Sequence, residues 1–300
     1  MDEDTITAVI RQRTSCRSYE KAPMPPEVRA QLADFCATQT RGPLGAETRF
    51  LLISATEEDR AALKGLGTYG FIRNPTAFIL GAVKQDRYNL EDFGYLLETI
   101  VLRATALGLG TCWLGGSFTR SSFARAMALR EGELLPAVIA AGLPAESPRF
   151  VDRFIRSGAG SDRRLPWEQL FFNHDFATPL SAAEAGVYTE ALELVRLGPS
   201  ASNRQPWRVV KAAGAWHFFL QHNSNYRKQM KLVTAIDLQR VDIGITMSHF
   251  ALTANALGLQ GSWQAQPFPT PPDSNTEYII SWVEGSQPNS TKVINASPQN

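Results

Sequence analysis

Histidine and cysteine are scarce in this 300-residue chain, with four of the first and three of the second. His174, His217, His222 and His249 are scattered, and Cys16, Cys36 and Cys112 form no CxxC pair, so no metal-ligand spacing is legible. Three unpaired cysteines read as reduced thiols, which points to a cytoplasmic protein. No GxSxG elbow, P-loop or HExxH occurs, which argues against the common hydrolases, NTPases and zinc proteases. No apolar run is long enough to cross a bilayer, and the acidic start Met1-Asp2-Glu3-Asp4 does not suit a secretory signal. Net charge is only +1, so the balance offers nothing to a nucleic acid or a membrane surface. Core material is plentiful. Hydrophobic residues make up 44% of the chain, enough for one large domain or two closely packed halves.

Ile6, Val9 and Ile10 share a face and predict a helix over 5–13; another is expected over 27–38, after a turn rich in proline. Phe50–Ile53 reads as a buried strand, 57–64 as a charged helix and Thr76–Leu80 as a second strand. The run Gly65-Leu66-Gly67-Thr68-Tyr69-Gly70 matches GxGxxG. Its flanks are a helix before and a strand after, the reverse of a dinucleotide-binding loop. Leu96, Leu97, Ile100, Val101, Ala104 and Leu107 give the strongest helix, over 92–107, with Gly108 as its cap. A loop over 108–116 leads to a helix over 119–128 and a strand over 137–141.

The helix and its cap recur. Asp92-Phe93-Gly94, Ala104 to Leu109 and Trp113 match Asp242-Ile243-Gly244, Ala254 to Leu259 and Trp263, each 150 positions later without a gap. Gly42-Pro43 pairs with Gly198-Pro199 at an offset of 156, six residues more. Two tandem degenerate copies of one fold are therefore expected, an intramolecular pseudo-dimer with halves at 1–168 and 169–286 and a disordered tail over 287–300. The copies have decayed in complementary ways. The first keeps a cationic segment, Arg13-Thr14-Ser15-Cys16-Arg17, where the second reads Gln169 to His174 without a cation. The second keeps Gly198-Pro199-Ser200-Ala201-Ser202-Asn203-Arg204-Gln205-Pro206-Trp207, where the first reads Leu44 to Arg49. One full set divided between two copies points to a single composite site at their interface.

The residues describe what such a site would hold. Arg13, Ser15 and Arg17 offer charge and a hydroxyl to a terminal phosphate, and alternate positions share one side of an extended segment. The glycines of Thr111 to Gly116 let backbone N–H groups approach a ligand. Pro199, Ser200, Ala201 and Asn203 belong to a loop stiffened by two prolines, with carboxamides and hydroxyls suited to a planar, hydrogen-bonding ring. Phosphate at one end and such a ring at the other outline FMN. Arg149, Arg153 and Arg156 read as solvated linker cations, whereas Arg163 and Arg164 precede the apolar anchor Leu165-Pro166-Trp167. His249, on the second repeated helix, reads as a packed histidine rather than a catalytic one. No metal site and no catalytic side chain is expected, because a cofactor can carry the reactive atom.

Together, Arg13 to Tyr19, Leu107 to Gly116 and Gly198 to Trp207 resemble the nitroreductase family, and the resemblance covers roughly residues 5–285. It implies an α+β nitroreductase-like fold, with central antiparallel-rich sheets flanked by helices. It also implies FMN held between two subunits, here similar to the single-chain branch in which both are fused. By this resemblance Arg13, Ser15 and Arg17 face the phosphate, and Arg164, with Arg163, closes on it. Leu114, Gly115 and Gly116 meet the reactive edge of the flavin, and Pro199, Ser200, Ala201 and Asn203 lie against its rings. The implied function is an FMN-dependent oxidoreductase that takes electrons from NADH or NADPH. It would pass them, ping-pong fashion, to a small-molecule acceptor such as a nitroaromatic or quinone. A monomer is expected, without nucleic acid or membrane partners. Two other readings stay open at this stage: another reductive flavoprotein on the same fold, such as a dehalogenase-like enzyme, and a non-catalytic flavin-binding or regulatory protein.

Overall fold

A computed structural model describes residues 3–59, 61–145, 163–223, 226 and 235–285. Arg149, Arg153, Arg156 and the tail over 287–300 lie outside the described residues. Helix α1 (Glu3–Gln12) forms on the expected stripe and buries Ile6, Val9 and Ile10. Helix α2 (Pro26–Thr38) starts on proline, whose missing N–H would be unpaired in a first turn anyway. The described part of 57–64 makes bends and turns, not the expected helix. Thr56 Oγ1 accepts from Asp59 N at 2.9 Å and Asp59 Oδ1 from Ala61 N at 3.1 Å, local bonds that compete with helix formation.

Two sheets follow along the chain. In the first, β1 (Thr48–Ser54), β2 (Ala77–Lys84), β5 (Val138–Gly142) and β3 (Gly110–Leu114) pair antiparallel in that order, with β4 (Glu133–Leu134) also on β2. Strand β3 thus occupies much of the stretch expected as loop. The second sheet orders β7 (Trp207–Ala212), β8 (Ala215–Gln221), β10 (Thr276–Glu284) and β9 (Gly261–Gln264) antiparallel, and β6 (Phe171–Asn173) adds a parallel edge. With β4 and β6 set aside, both run first strand, second strand, last strand, then the short strand after a long helix. Helix α3 (Asn89–Ala106) lays Phe93, Leu97 and Ile100 on Phe50, Ile79 and Ile139 of the first sheet. Beyond it come α4 (Arg120–Ala126), α5 (Ala182–Ala185) and α6 (Thr189–Leu197). Helix α7 (Leu238–Ala256) lays Ile243, Met247 and Phe250 on Val209, Phe218 and Ile280 of the second sheet. Each such buried side chain contributes roughly 1.5–3 kcal/mol. The expected arrangement of antiparallel-rich sheets flanked by helices is what the chain adopts.

The two long helices meet face to face, and glycine sets their approach. A Cβ on Gly94 would fall 2.2 Å from the Val241 carbonyl oxygen, and one on Gly244 would fall 1.9 Å from that of Glu91. The contacts are reciprocal, since Val241 is 150 residues after Glu91 and Gly244 is 150 after Gly94. Two turns on, the reciprocity continues: Glu98 meets His249, and Thr99 meets Ser248. Helix α1 crosses the same seam, packing Ile6, Val9 and Ile10 on Leu102, Leu194 and Leu252.

One aspartate from each long helix ties down the turn after a Gly-Pro. Asp92 accepts from Leu44 N at 2.9 Å and Ala46 N at 2.8 Å, and Asp242 accepts from Ala201 N at 3.0 Å. Burial pushes the Asp92 carboxyl up to about 6, outweighing those N–H donors. The folded chain therefore holds this proton more tightly than the unfolded chain. Asp92's contribution to stability is greatest below about pH 4 and is lost as pH rises towards about 6. A shift of that size corresponds to something on the order of 3 kcal/mol. Denaturant titrations of wild type and Asp92→Asn should show the stability difference between them changing across pH 4–6 in that direction. Comparing the two chains removes the opposite slope of carboxylates such as Glu133, whose pKa is lowered by its bond to Arg49. A difference that stays flat across the window would disprove the assignment.

Candidate flavin site between the two sheets

The run from Gly198 to Trp207 leaves α6 and enters β7 through a 3-10 turn at Ala201–Asn203. Ser202, Asn203 and Gln205 sit at φ of 52°, 53° and 49°, left-handed backbone that a side chain disfavours. Such residues persist only where their surroundings hold them. Here Ser200 Oγ accepts from Gln205 N at 2.9 Å, Asn203 Nδ2 donates to the Arg163 carbonyl at 2.9 Å, and buried Gln205 accepts from Leu165 N at 2.8 Å. Arg164 donates to Asn203 Oδ1 and to the Leu197 carbonyl. The loop is braced by its own side chains and by the segment Arg163 to Leu165, beyond what its prolines impose.

Facing it, Thr14 to Arg17 run extended beside β3. Ser15 bridges Thr111, Cys16 N donates to the Thr111 carbonyl at 2.8 Å, and the Arg17 carbonyl accepts from Arg73 N. Arg13, Ser15 and Arg17 all reach one cavity, as alternation in an extended segment predicts. Arg17 Nη1 is buried and finds no hydrogen-bond partner among the described residues, while Arg13 Nε, also without a hydrogen bond there, stands 3.8 Å from Glu98 Oε1. A buried guanidinium N–H left without a hydrogen bond is costly, and an anion in the cavity would satisfy that of Arg17.

The third wall is the end of β3 with Leu114, Gly115 and Gly116, and the fourth is the face of α7 carrying Leu238, Val241, Asp242 and Ile245. Gly115 has a specific reason to lack a side chain: a Cβ there would stand 2.5 Å from Leu238 Cδ1. Its glycine admits Leu238 of α7 and leaves its backbone on the cavity wall. Asp242 is buried, with Oδ1 on Ala201 N and Oδ2 unpartnered among the described residues. Burial raises its carboxyl well above the ordinary range, more than the Ala201 N–H lowers it. Tyr226 lies beside it, its phenol pushed up to about 12 by burial first and by the Asp242 charge second.

These walls enclose about 630 Å³, within the roughly 300–1,000 Å³ of small-molecule sites. Arg13, Ser15, Arg17, Leu114, Gly115, Gly116, Arg164, Pro199, Ser200, Ala201 and Asn203 all line it. Arg163 is outside the wall. Its side chain is exposed, and its carbonyl serves as the acceptor that orients Asn203 and Gln205. Tyr69 and Phe71 are exposed aromatics on the cavity wall that no sequence motif marks, since the GxGxxG segment over 65–70 has the wrong flanks for a dinucleotide loop. Sequence reasoning also misses the α7 face, which reads as core by periodicity. His249 is fully buried, with Nδ1 2.8 Å from the Leu194 carbonyl and Nε2 3.0 Å from Glu98, as a packed histidine should be. Among the described residues no group of His, Cys, Asp and Glu could hold a metal, and no helix is long and apolar enough to cross a membrane.

A family model described as "Putative TM nitroreductase" matches residues 5–254. In three dimensions the chain is similar to a "putative nitroreductase" from Thermotoga maritima, at a TM-score of 0.57 and 19% identity over 93% of each chain, a likeness of fold. Partial similarities reach a nitroreductase with bound FMN from Bacteroides fragilis, at 18% identity over 48% of this chain and 91% of that one, with a TM-score of 0.38. Another is to a "putative nitroreductase" in complex with FMN from Desulfovibrio desulfuricans, at 26% identity over 50% and 94%, with a TM-score of 0.36. No curated protein matches the chain. With the family match spanning most of its length, the chain belongs to the nitroreductase family.

Proposed function

We propose that this chain is an FMN-dependent oxidoreductase that uses NADH or NADPH to reduce a small-molecule acceptor such as a nitroaromatic or quinone. The observation that carries the reading is that Arg17 and Asn203, 186 residues apart in sequence, line one cavity in which the buried Arg17 Nη1 has no hydrogen-bond partner among the described residues. That donor set fits the cofactor. Arg13, Ser15, Arg17 and Arg164 would hold the phosphate, as charge-assisted donors suit a group carrying about 1.5–2 negative charges. Pro199, Ser200, Ala201 and Asn203 would lie along the rings, with Leu114 to Gly116 on the remaining wall. FMN, when bound, supplies hydride exchange between nicotinamide and acceptor. The chain's own contribution is to bind, to orient and, through Tyr69 and Phe71 on the cavity wall, to exclude water from a stacked acceptor.

The chain is read as two fused copies, with halves at 1–168 and 169–286, that carry one site and act as a monomer in the cytoplasm. The shared strand order and the reciprocal helix contacts support that reading. In the first copy the equivalent turn, Leu44 to Arg49, carries no carboxamide. One flavin per chain is therefore expected. The visible spectrum of the purified protein, with flavin counted per chain, tests this, followed by anaerobic bleaching with NADH or NADPH and reoxidation by quinone. A colourless protein that takes up no added FMN would rule the function out.

A further inference from the structure

Behind the Arg13 side of the cavity lies a buried charged cluster that phosphate binding alone does not explain. Glu98 and His249 are fully buried, one on each long helix. Glu98 Oε2 accepts from Trp113 Nε1 at 2.8 Å, while Oε1 lies 3.0 Å from His249 Nε2 and 3.8 Å from Arg13 Nε. Both His249 nitrogens face oxygen acceptors, since Nδ1 is 2.8 Å from the Leu194 carbonyl. The Nδ1 contact requires one proton. The Nε2 contact requires a second, on the ring or on the carboxyl. Either way the Glu98–His249 pair is neutral overall, and Arg13 is the one net charge of the cluster.

The seam supplies an internal comparison. The reciprocal contact, Thr99 with Ser248 at 3.3 Å, is a pair of hydroxyls. The ionisable version stands on the side where Arg13 faces the cavity.

We propose that His249 is a charge-balancing residue: its proton neutralises Glu98, so that the full positive charge of Arg13 reaches the anionic end of the bound ligand. Glu98 in turn positions Arg13 and Trp113, both on the cavity wall, from behind. This rests on the FMN reading. Without His249, an ionised Glu98 would cancel the Arg13 charge locally. With both groups neutralised, the charge would return.

The test is the ratio of riboflavin to FMN dissociation constants on apo-protein, read by flavin fluorescence quenching; riboflavin lacks the phosphate, so the ratio reports it alone. His249→Gln should lower the ratio about tenfold, since one nearby charge is cancelled. Glu98→Gln alone should keep it, and the double variant should restore it to within about threefold of wild type. A merely structural role would leave the double variant worse than either single one. An unchanged ratio in His249→Gln, or a double variant that stays low, overturns the proposal. If His249→Gln does not fold, Glu98→Gln and the double variant decide it, and loss of the ratio in either one overturns it. Wild-type protein that binds neither flavin would instead bring down the cofactor reading, and this proposal with it.

Discussion

Gly244→Ala is expected to destabilise the fold by on the order of 3–5 kcal/mol and to lower the melting midpoint by roughly 5–8 °C. In an isolated helix the same change would help, by about 1 kcal/mol, because alanine is the better helix former. Here the new methyl would fall 1.9 Å from the Glu91 carbonyl oxygen and 2.7 Å from Tyr95 N. Both are main-chain atoms of α3, inside its own hydrogen-bonded ladder, so neither can rotate away as a side chain could. The two long helices must separate, and with them the Asp242 that ties down the Ala201 turn. Flavin affinity should fall together with stability. Differential scanning calorimetry decides the matter; a midpoint within about 2 °C of wild type, roughly the effect of one kcal/mol in a chain of this length, would mean that the helices are not in backbone contact.

Arg17→Ala should weaken FMN binding by about 2–3 kcal/mol, roughly 30- to 150-fold, while leaving riboflavin affinity nearly unchanged. The buried Nη1 of Arg17 lacks a partner among the described residues, so its removal sacrifices no bond there and acts through the ligand. Arg11→Ala provides the contrast. Arg11 is part-exposed and paired with Glu190 at 2.7 Å across the same seam, a contact worth less than about 1 kcal/mol in water. Titration of apo-protein with both flavins reads the two effects. Equal FMN affinity in wild type and Arg17→Ala would remove Arg17 from the phosphate end.

Much of this site was legible before folding because its motifs are contiguous. Arg13 to Arg17, Leu114 to Gly116 and Pro199 to Asn203 each carry their chemistry within a few residues, and the 150-residue offset says that the segments belong together. Local chemistry misled at 57–64, where Thr56 and Asp59 capture backbone N–H groups that helical charge patterning cannot reveal. At Gly115 the fold adds a reason for glycine that the sequence does not carry, the Leu238 side chain packed against it. The left-handed Ser202, Asn203 and Gln205 left no sequence signal, since none is glycine.

Periodicity and composition alone determined most of the helices and strands, 57–64 and β3 apart, that one helix recurs, and which residues carry cations or carboxamides. Those properties reside in neighbouring residues and survive in a linear string. Which cations stay unpaired, which glycines admit a helix and which histidine faces Glu98 were decided only by the tertiary fold. Each depends on groups brought from the other half of the chain, and burial then turns an ordinary side chain into one whose partners set its charge.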